Sequence, residues 1–156
     1  MRSRDLAWQV EATSRGMIET PTCTLLGGKI RDFTREEQLA GFGDTLCVRG
    51  GVEFKAERKR RENLFVETES NRLICRKGWA WTCRATWLAY HVMGNRRVYL
   101  MSMRELHDWL KENEHRFELK PQSTFDQPNE TWGRCIPIRV ILAEIRSARD
   151  LGEDMR

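Results

Sequence analysis

The spacing of hydrophobic and polar residues changes several times along the chain, and each change predicts a new element. Between Asp5 and Ile18 apolar residues recur every three to four positions, which predicts a helix with Glu11 beside its apolar stripe. The stripe consists of Leu6, Ala7, Val10, Ser14, Met17 and Ile18. Thr34 and Glu37 form a capping box, so a second, short helix is expected to start there.

Three segments with a period of two follow. They predict strands over residues 44–48, 52–56 and 63–68. Arg49-Gly50-Gly51 lies between the first two segments and favours a hairpin, because glycine adopts positive φ without a steric penalty.

The second half of the chain is predicted to be mostly helical. After Gly78 an apolar stripe with a period near 3.6 predicts a helix that ends at 93–95, and a strand is expected over 97–101. That stripe is Ala85, Leu88, Ala89 and Val92. A capping box of Ser102 and Glu105 starts another helix, and a last helix begins at Pro137 and is closed by Gly152. The order helix, three strands, helix, strand and further helices predicts an α/β fold.

Composition is consistent with a globular protein. The chain has 156 residues, 40% hydrophobic and 32% charged, with a formal charge of +4. These values predict a single domain over 1–156, with a core over about 4–110 and a helical extension over 111–156. No apolar run approaches the roughly 20 residues of a membrane span, and no secretory signal follows the basic start. A cytoplasmic location is expected, in the host cell if the gene is phage-encoded, with no membrane partner.

Cysteines and histidines contribute little to the functional prediction. Five cysteines without a CxxC pair predict reduced thiols. Cys75, Cys83 and His91 are ligand types that zinc prefers, but their spacing matches no zinc ribbon or finger, so a zinc site is disfavoured. Gly27-Gly28-Lys29 lacks the residues that lead into a phosphate-binding loop and is predicted to be a turn.

The candidate chemistry lies in the predicted hairpin. Strand alternation places Glu53 and Lys55 on one face and the apolar side chains of Val52 and Phe54 on the other. With a four-residue loop over 48–51, Asp44 falls opposite Lys55 and diagonal to Glu53, near enough to share a divalent ion. A two-residue turn at 50–51 would instead pair Asp44 with Glu57 and separate the acids.

Two carboxylates and a lysine match the requirements of phosphodiester hydrolysis. Carboxylate oxygens bind Mg²⁺ or Mn²⁺, and the metal neutralises the phosphate and lowers the pKa of the attacking water. A nearby lysine stabilises the charge of the transition state or orients the water.

Asp44, Glu53 and Lys55, in the pattern G-D-x8-V-E-F-K, resemble the active-site motif of the PD-(D/E)XK phosphodiesterase superfamily. The resemblance covers roughly residues 4–110 and is closest to small phage-type nucleases. It implies a restriction-endonuclease-like αβββαβ core with a mixed central sheet flanked by helices. Gly43 stands where the superfamily has its proline.

The resemblance also implies roles for individual residues. The expected metal site is Asp44, Glu53, Phe54 and Glu67, and the expected catalytic residues are Asp44, Glu53, Lys55 and the auxiliary acid Glu11. Glu11 and Glu67 are equally compatible with solvent-facing or structural positions. Glu57-Arg58-Lys59 offers a second E-x-K, but it lies in a charged run rather than in an apolar strand.

Cations and aromatic residues follow the candidate site. Residues 55–61 hold five cations and one acid, so the net charge of this segment equals the +4 of the whole chain. Interleaved cations and aromatic rings are typical of surfaces that bind phosphates and bases, although charge runs are usually solvated and tryptophans usually belong to the core. The expected nucleic-acid contacts are Arg58, Lys59, Arg60, Arg61, Arg76, Lys77 and Trp79.

The sequence therefore predicts a metal-dependent nuclease that cleaves DNA, expected to be an endonuclease on duplex or branched substrates. The alternative is a catalytically inactive nucleic-acid-binding or DNA-processing accessory module of the same fold. A homodimer is compatible with either, with residues 138–151 forming its interface or closing the monomer core.

Overall fold

A computed structural model describes residues 3–122 and 131–152, with side chains described from Trp8 onward in the first segment. The predicted stripe positions Leu6 and Ala7 therefore lie outside the described side chains. The elements in chain order are α1 (Ser3–Leu25), β1 (Lys29–Asp32), α2 (Arg35–Leu39), β2 (Thr45–Cys47), β3 (Gly50–Glu57), β4 (Asn63–Asn71), β5 (Arg76–Lys77), α3 (Trp79–Thr82), β6 (Trp87–Val92), β7 (Arg97–Ser102), α4 (Met103–Asn113), β8 (Leu119–Pro121), β9 (Trp132–Pro137), α5 (Ile138–Glu144) and β10 (Arg149–Asp150).

These elements form an α/β structure with two sheets. The central sheet is mixed and has the strand order β1-β2-β3-β6-β7-β10, in which only β3 and β6 are parallel neighbours. The second sheet is antiparallel, with the order β5-β4-β9-β8. The expected α/β class is confirmed.

Two hydrophobic cores lie on opposite faces of the central sheet. On one face Ile18 and Cys23 of α1, with Leu26 directly after the helix, pack against Val52 and Phe54 of β3. On the other face a larger cluster joins alternate residues of β6 and β7 to side chains of β4, β9, α4 and α5. Since side chains alternate along a strand, Glu53 and Lys55 face this second side.

The first helix is longer than its predicted stripe. Ser14, Ile18 and Thr22 recur every four residues and are buried, which explains why the helix continues past Ile18. Met17 was expected in the stripe, but its side chain is 61% exposed because its position faces away from the sheet. The prediction for Met17 is therefore wrong.

The predicted helix after Gly78 is wrong over most of its length. α3 and a single 3-10 turn at Met93–Asn95 are helical, whereas residues 87–92 form the central strand β6. A strand that is covered on both faces is apolar at nearly every position, so its sequence does not show the alternation of a half-buried strand. Leu88, Ala89 and Val92 are buried in this strand.

The third predicted strand is present, but in a different sheet from the one expected. Residues 63–71 form β4, which pairs with β9 and β5 instead of β3. The polar turn over 58–62 directs the chain away, and β6 occupies the place beside β3. The parallel β3–β6 pairing is thus made across an insertion that contains β4, β5 and α3.

The C-terminal part is not a helical extension. After α4 the chain forms β8 and β9, and α5 ends at Glu144, well before Gly152. The backbone becomes extended at Ile145, and the Ser147 N–H donates to the Glu105 carboxylate at 2.7 Å. Ile138 and Ile141 are buried in the larger core, so this segment closes the core of the chain itself.

Both capping sites begin helices. At Thr34 the box is complete, because its hydroxyl accepts from the Glu37 N–H and the Glu37 carboxylate accepts from the Thr34 N–H. At Ser102 only the hydroxyl bond to the Glu105 N–H forms, since the Glu105 carboxylate binds Ser147 instead.

Candidate active site

The β2–β3 hairpin brings the two expected metal ligands together, but with a register that neither sequence-based alternative predicted. Cys47 pairs with Gly50 and Thr45 pairs with Val52, so the turn consists of Val48 and Arg49. The paired residues end at Thr45 and Val52, and the Asp44 N–H donates to the same Val52 carbonyl at 2.8 Å. Asp44 therefore lies beside Val52 and close to Glu53, whose charge acts on its carboxylate.

Asp44 is held at the start of β2 by its own backbone contacts. Its Oδ2 accepts a hydrogen bond from the Phe54 N–H at 2.8 Å. Burial raises the pKa of Asp44, and the charge of Glu53 raises it further. The Phe54 N–H and the cations Lys55 and Arg15 act in the opposite direction without reversing the shift. Two carboxylates that repel each other in a partly buried place favour a bound cation.

Glu53 and Lys55 form an ion pair along one strand. The Lys55 Nζ lies 2.8 Å from Glu53 Oε1, and both side chains are largely covered. Burial by itself would lower the pKa of Lys55, but the carboxylates of Glu53, Glu11 and Asp44 outweigh it and raise the pKa. Lys55 therefore stays protonated at neutral pH.

Phe54 can contribute a ligand only through its backbone carbonyl, because its side chain is buried against α1. The N–H and C=O of one strand residue point to the same side. Since the Phe54 N–H points to Asp44, its carbonyl points to the Asp44 side of β3 as well.

Glu67 and Glu11 lie next to the cluster formed by Asp44, Glu53 and Lys55. The Glu67 Oε1 accepts the Trp79 N–H at 3.3 Å, and burial raises the pKa of Glu67. Glu11 is exposed on α1, and its charge raises the pKa of both Glu67 and Lys55. Within residues 3–122 and 131–152 no three His, Cys, Asp or Glu side chains converge as a metal-binding group. The roles of Glu67 and Glu11 stay predictions.

A cavity of about 720 Å³ opens beside Glu53, between α2, α3 and α4. Its walls carry three cations, Arg84, Arg104 and Lys111, and two acids, Glu53 and Asp108, of which Asp108 lies 3.6 Å from the Lys111 Nζ. Trp79 and Trp81 line it too, and Trp81 stacks on His107 with ring centroids 6.3 Å apart. We call this cavity the cationic groove.

Sequence analysis missed Arg104 and Lys111 as binding candidates. They are seven positions apart on α4, with the polar residues His107 and Asp108 between them. Positions i, i+3, i+4 and i+7 share one helix face, so this polar stripe was a readable signal. What the sequence did not show is that the stripe faces Glu53.

The predicted basic run lies elsewhere. Arg58, Lys59 and Arg60 are exposed in the turn after β3, and Arg61 is 3.6 Å from the Glu57 carboxylate. The Arg61 N–H donates to Asn95 Oδ1, which fixes the turn against residues 93–95. Arg60 lines a second cavity, of about 790 Å³, which Glu53 does not line.

The second group of predicted nucleic-acid contacts lies next to the site. Arg76 and Lys77 are exposed on β5, which leads through Gly78 into Trp79. Trp79 packs against the larger core, and the Lys55 Nζ lies 5.9 Å from its ring centroid. Trp79 therefore covers Lys55 from one side as part of the core and also lines the cationic groove.

Gly43 explains why the proline of the resembled motif is missing. Its φ is +105°, which proline cannot adopt, and a Cβ there would lie 2.7 Å from the Val52 carbonyl oxygen. The turn that delivers Asp44 to Glu53 thus requires glycine.

Gly43→Ala is expected to lower the free energy of unfolding by about 2–4 kcal/mol, because a strained φ and a backbone clash add together. Denaturant titration measures the effect. Gly16→Ala is the control, since Gly16 lies in α1 and the Cβ that alanine adds would have no neighbouring atom within 4 Å. That variant should gain about 0.5–1 kcal/mol. Equal effects of the two substitutions on the free energy of unfolding would contradict the positive φ assigned to Gly43.

The five cysteines are free thiols, of which only Cys75 is fully exposed. Burial raises the pKa of Cys23 to about 12 and that of Cys83 to about 12, so neither is a reactive thiolate at neutral pH.

Comparison with known proteins does not add a family to this geometry. No family model, curated protein or solved structure matches the chain. In the described part of the chain no helix is both long and apolar enough to span a bilayer.

Proposed function

We propose that this protein is a metal-dependent nuclease of the PD-(D/E)XK type that hydrolyses phosphodiester bonds in DNA. The observation that carries the proposal is the β2–β3 hairpin, where the Asp44 carboxylate binds the Phe54 N–H next to Glu53 and Glu53 is paired with Lys55. A hairpin followed by a crossover to the parallel strand β6 also fits a restriction-endonuclease-like core.

The donor set fits Mg²⁺ or Mn²⁺. Mg²⁺ is commonly bound by one or two carboxylates, with waters and substrate phosphate completing its shell, so a third acid is not required. Asp44 and Glu53 would hold the ion, and the carbonyl of Phe54 points to the same side. A bound divalent ion supplies charge neutralisation at the phosphate and a lowered pKa for the attacking water.

Lys55 has an electrostatic role in this proposal. A lysine that stays protonated cannot take a proton from water, so it does not serve as the general base. Its ammonium group is fixed by the Glu53 carboxylate at 2.8 Å and is available to stabilise negative charge that develops on the phosphate.

The cationic groove supports DNA as the substrate. Arg84, Arg104 and Lys111 line a cavity that reaches Glu53, and cations beside a cleavage site neutralise backbone phosphates. The exposed run at Arg58, Lys59 and Arg60 provides a second surface for the same backbone, in the turn after β3.

The test is a cleavage panel on duplex, branched and single-stranded DNA with Mg²⁺, Mn²⁺ or EDTA. Cleavage with either metal and none with EDTA is the expected result. DNA binding that weakens with salt, without cleavage of any substrate, would favour the accessory module instead. That second function is favoured by one observation, the direct Glu53–Lys55 pair, which competes with metal for Glu53.

A further inference from the structure

The β4–β5 hairpin ends in two adjacent aliphatic side chains on the surface. Leu73 and Ile74 are 76% and 62% exposed. Single exposed aliphatic residues are ordinary, but two neighbours at the tip of a hairpin place apolar surface where a partner reaches it first.

The tip has a defined conformation. The Leu73 N–H donates to Asn71 Oδ1 at 3.0 Å, and the Cys75 N–H donates to the Arg72 carbonyl at 3.3 Å. Cys75 has a φ of 53°, which closes the turn in the left-handed region. The Arg72 guanidinium lies 4.3 Å from the Trp132 ring centroid on β9. A preformed tip loses little conformational entropy on binding.

Cations surround the aliphatic pair. Residues 72–77 contain three cations, Arg72, Arg76 and Lys77, and no acid, while Arg72 also pairs with Glu69 at 3.6 Å on the preceding strand. Arg76 and Lys77 are exposed beside the tip. Aliphatic side chains that enter a base step, together with cations that contact the adjacent phosphates, are the combination by which proteins unstack and kink a duplex.

The base of the hairpin adjoins the candidate active site. The Gly78 N–H donates to the Thr68 carbonyl at 2.9 Å, and the Trp79 N–H binds Glu67. From there the tip extends on the order of 15 Å, which corresponds to about four or five base-pair steps.

We propose that this hairpin is a wedge that inserts Leu73 and Ile74 between stacked bases of the bound DNA. Unstacking costs least where the duplex is already weakened, so the wedge directs the protein to mismatched, nicked or branched duplexes. The place of cleavage, within about five base-pair steps of the weakened step, rests on the proposed function, whereas the insertion itself does not.

The experiment measures base stacking without metal. Duplexes carry 2-aminopurine beside a mismatch or in a fully paired step, and protein is added in EDTA. Wild-type protein should raise the fluorescence at the mismatch several-fold. The double variant Leu73→Ser/Ile74→Ser should abolish that rise and weaken binding to the mismatched duplex about tenfold.

A matched control removes two aliphatic side chains of similar exposure elsewhere. Ile30 and Val48 are 59% and 64% exposed, on β1 and in the β2–β3 turn. Ile30→Ser/Val48→Ser should leave the fluorescence rise and the affinity unchanged. Circular dichroism establishes that both variants are folded.

Three outcomes separate this inference from the nuclease proposal. If the fluorescence rise survives in Leu73→Ser/Ile74→Ser, the wedge is wrong even where metal-dependent cleavage is found. If the fluorescence rise depends on Leu73 and Ile74 but no DNA is cleaved with Mg²⁺ or Mn²⁺, the wedge proposal is supported and the nuclease proposal is wrong. If instead the pair is needed for binding phosphatidylserine vesicles and leaves the fluorescence unchanged, the tip contacts membranes and the wedge is overturned.

Discussion

Asp44→Asn is expected to abolish metal-dependent cleavage while making the protein more resistant to heat. The amide cannot bind the divalent ion as the carboxylate does, so the cleavage rate should fall about a thousandfold or more. Burial and Glu53 raise the pKa of Asp44, which means that the charged form is disfavoured in the folded state. Removing that charge should therefore raise the melting temperature of the metal-free protein by a few degrees.

The pH dependence of this gain follows from the direction of the shift. A folded-state pKa above the unfolded value contributes stability at low pH, and this contribution is lost as the pH rises through the folded value. The advantage of Asp44→Asn should thus be present at neutral pH and vanish in acid, where wild-type Asp44 is protonated too. Thermal melts across that range measure it.

Metal binding gives a readout independent of activity. Mn²⁺ at about a hundredfold its dissociation constant should stabilise the wild-type protein by about 2.7 kcal/mol. The same addition should leave the melting temperature of Asp44→Asn nearly unchanged. Asp150→Asn is the control, since Asp150 pairs with Arg97 on the edge strand β10, at the opposite edge of the central sheet from β2. A Mn²⁺ shift that survives in Asp44→Asn would remove Asp44 from the metal site.

Lys55→Met is expected to separate cleavage from metal binding. Methionine approximates the length of the lysine stem but lacks the ammonium that faces the phosphate, so cleavage should fall about 10²–10³-fold. The metal-free protein should lose stability, because Glu53 then lacks its 2.8 Å partner and the Asp44 carboxylate remains close to it.

Added metal should restore the stability that the Lys55→Met variant loses. With the ammonium gone, the divalent ion becomes the main cation near Glu53, and the Mn²⁺-induced rise in melting temperature should exceed that of the wild type. Lys120→Met serves as the control, since Lys120 lies on β8 in the second sheet and pairs with Glu118 just before that strand. If Lys55→Met cleaves at the wild-type rate, Lys55 has no part in the reaction.

The part of the site that could be predicted from sequence is the part encoded locally. Alternation in β3 separated Glu53 and Lys55 from Val52, and the structure keeps that separation. The register was wrong because Gly50 was expected inside the turn. Its positive φ is instead used at the first residue of β3, directly after Val48 and Arg49.

The rest of the fold depends on contacts that no local pattern records. β6 is covered on both faces, which hides its strand period, and β4 finds its partner β9 far along the chain. β1 was missed because its four residues are all exposed, so it shows no apolar alternation at all. The cationic groove was missed because α4 and Glu53, which are far apart in the sequence, line one cavity only in the tertiary structure.

The β2–β3 hairpin also has a consequence for the order in which the molecule folds. Asp44 and Glu53 meet through a short turn, which is among the fastest contacts a chain can close, whereas the β3–β6 and β4–β9 pairings must close much longer loops. We therefore expect the two acids to come together before the groove around them forms. A divalent ion that binds this early hairpin would favour the native turn at Val48 and Arg49, so metal added during refolding is expected to act before the core has formed.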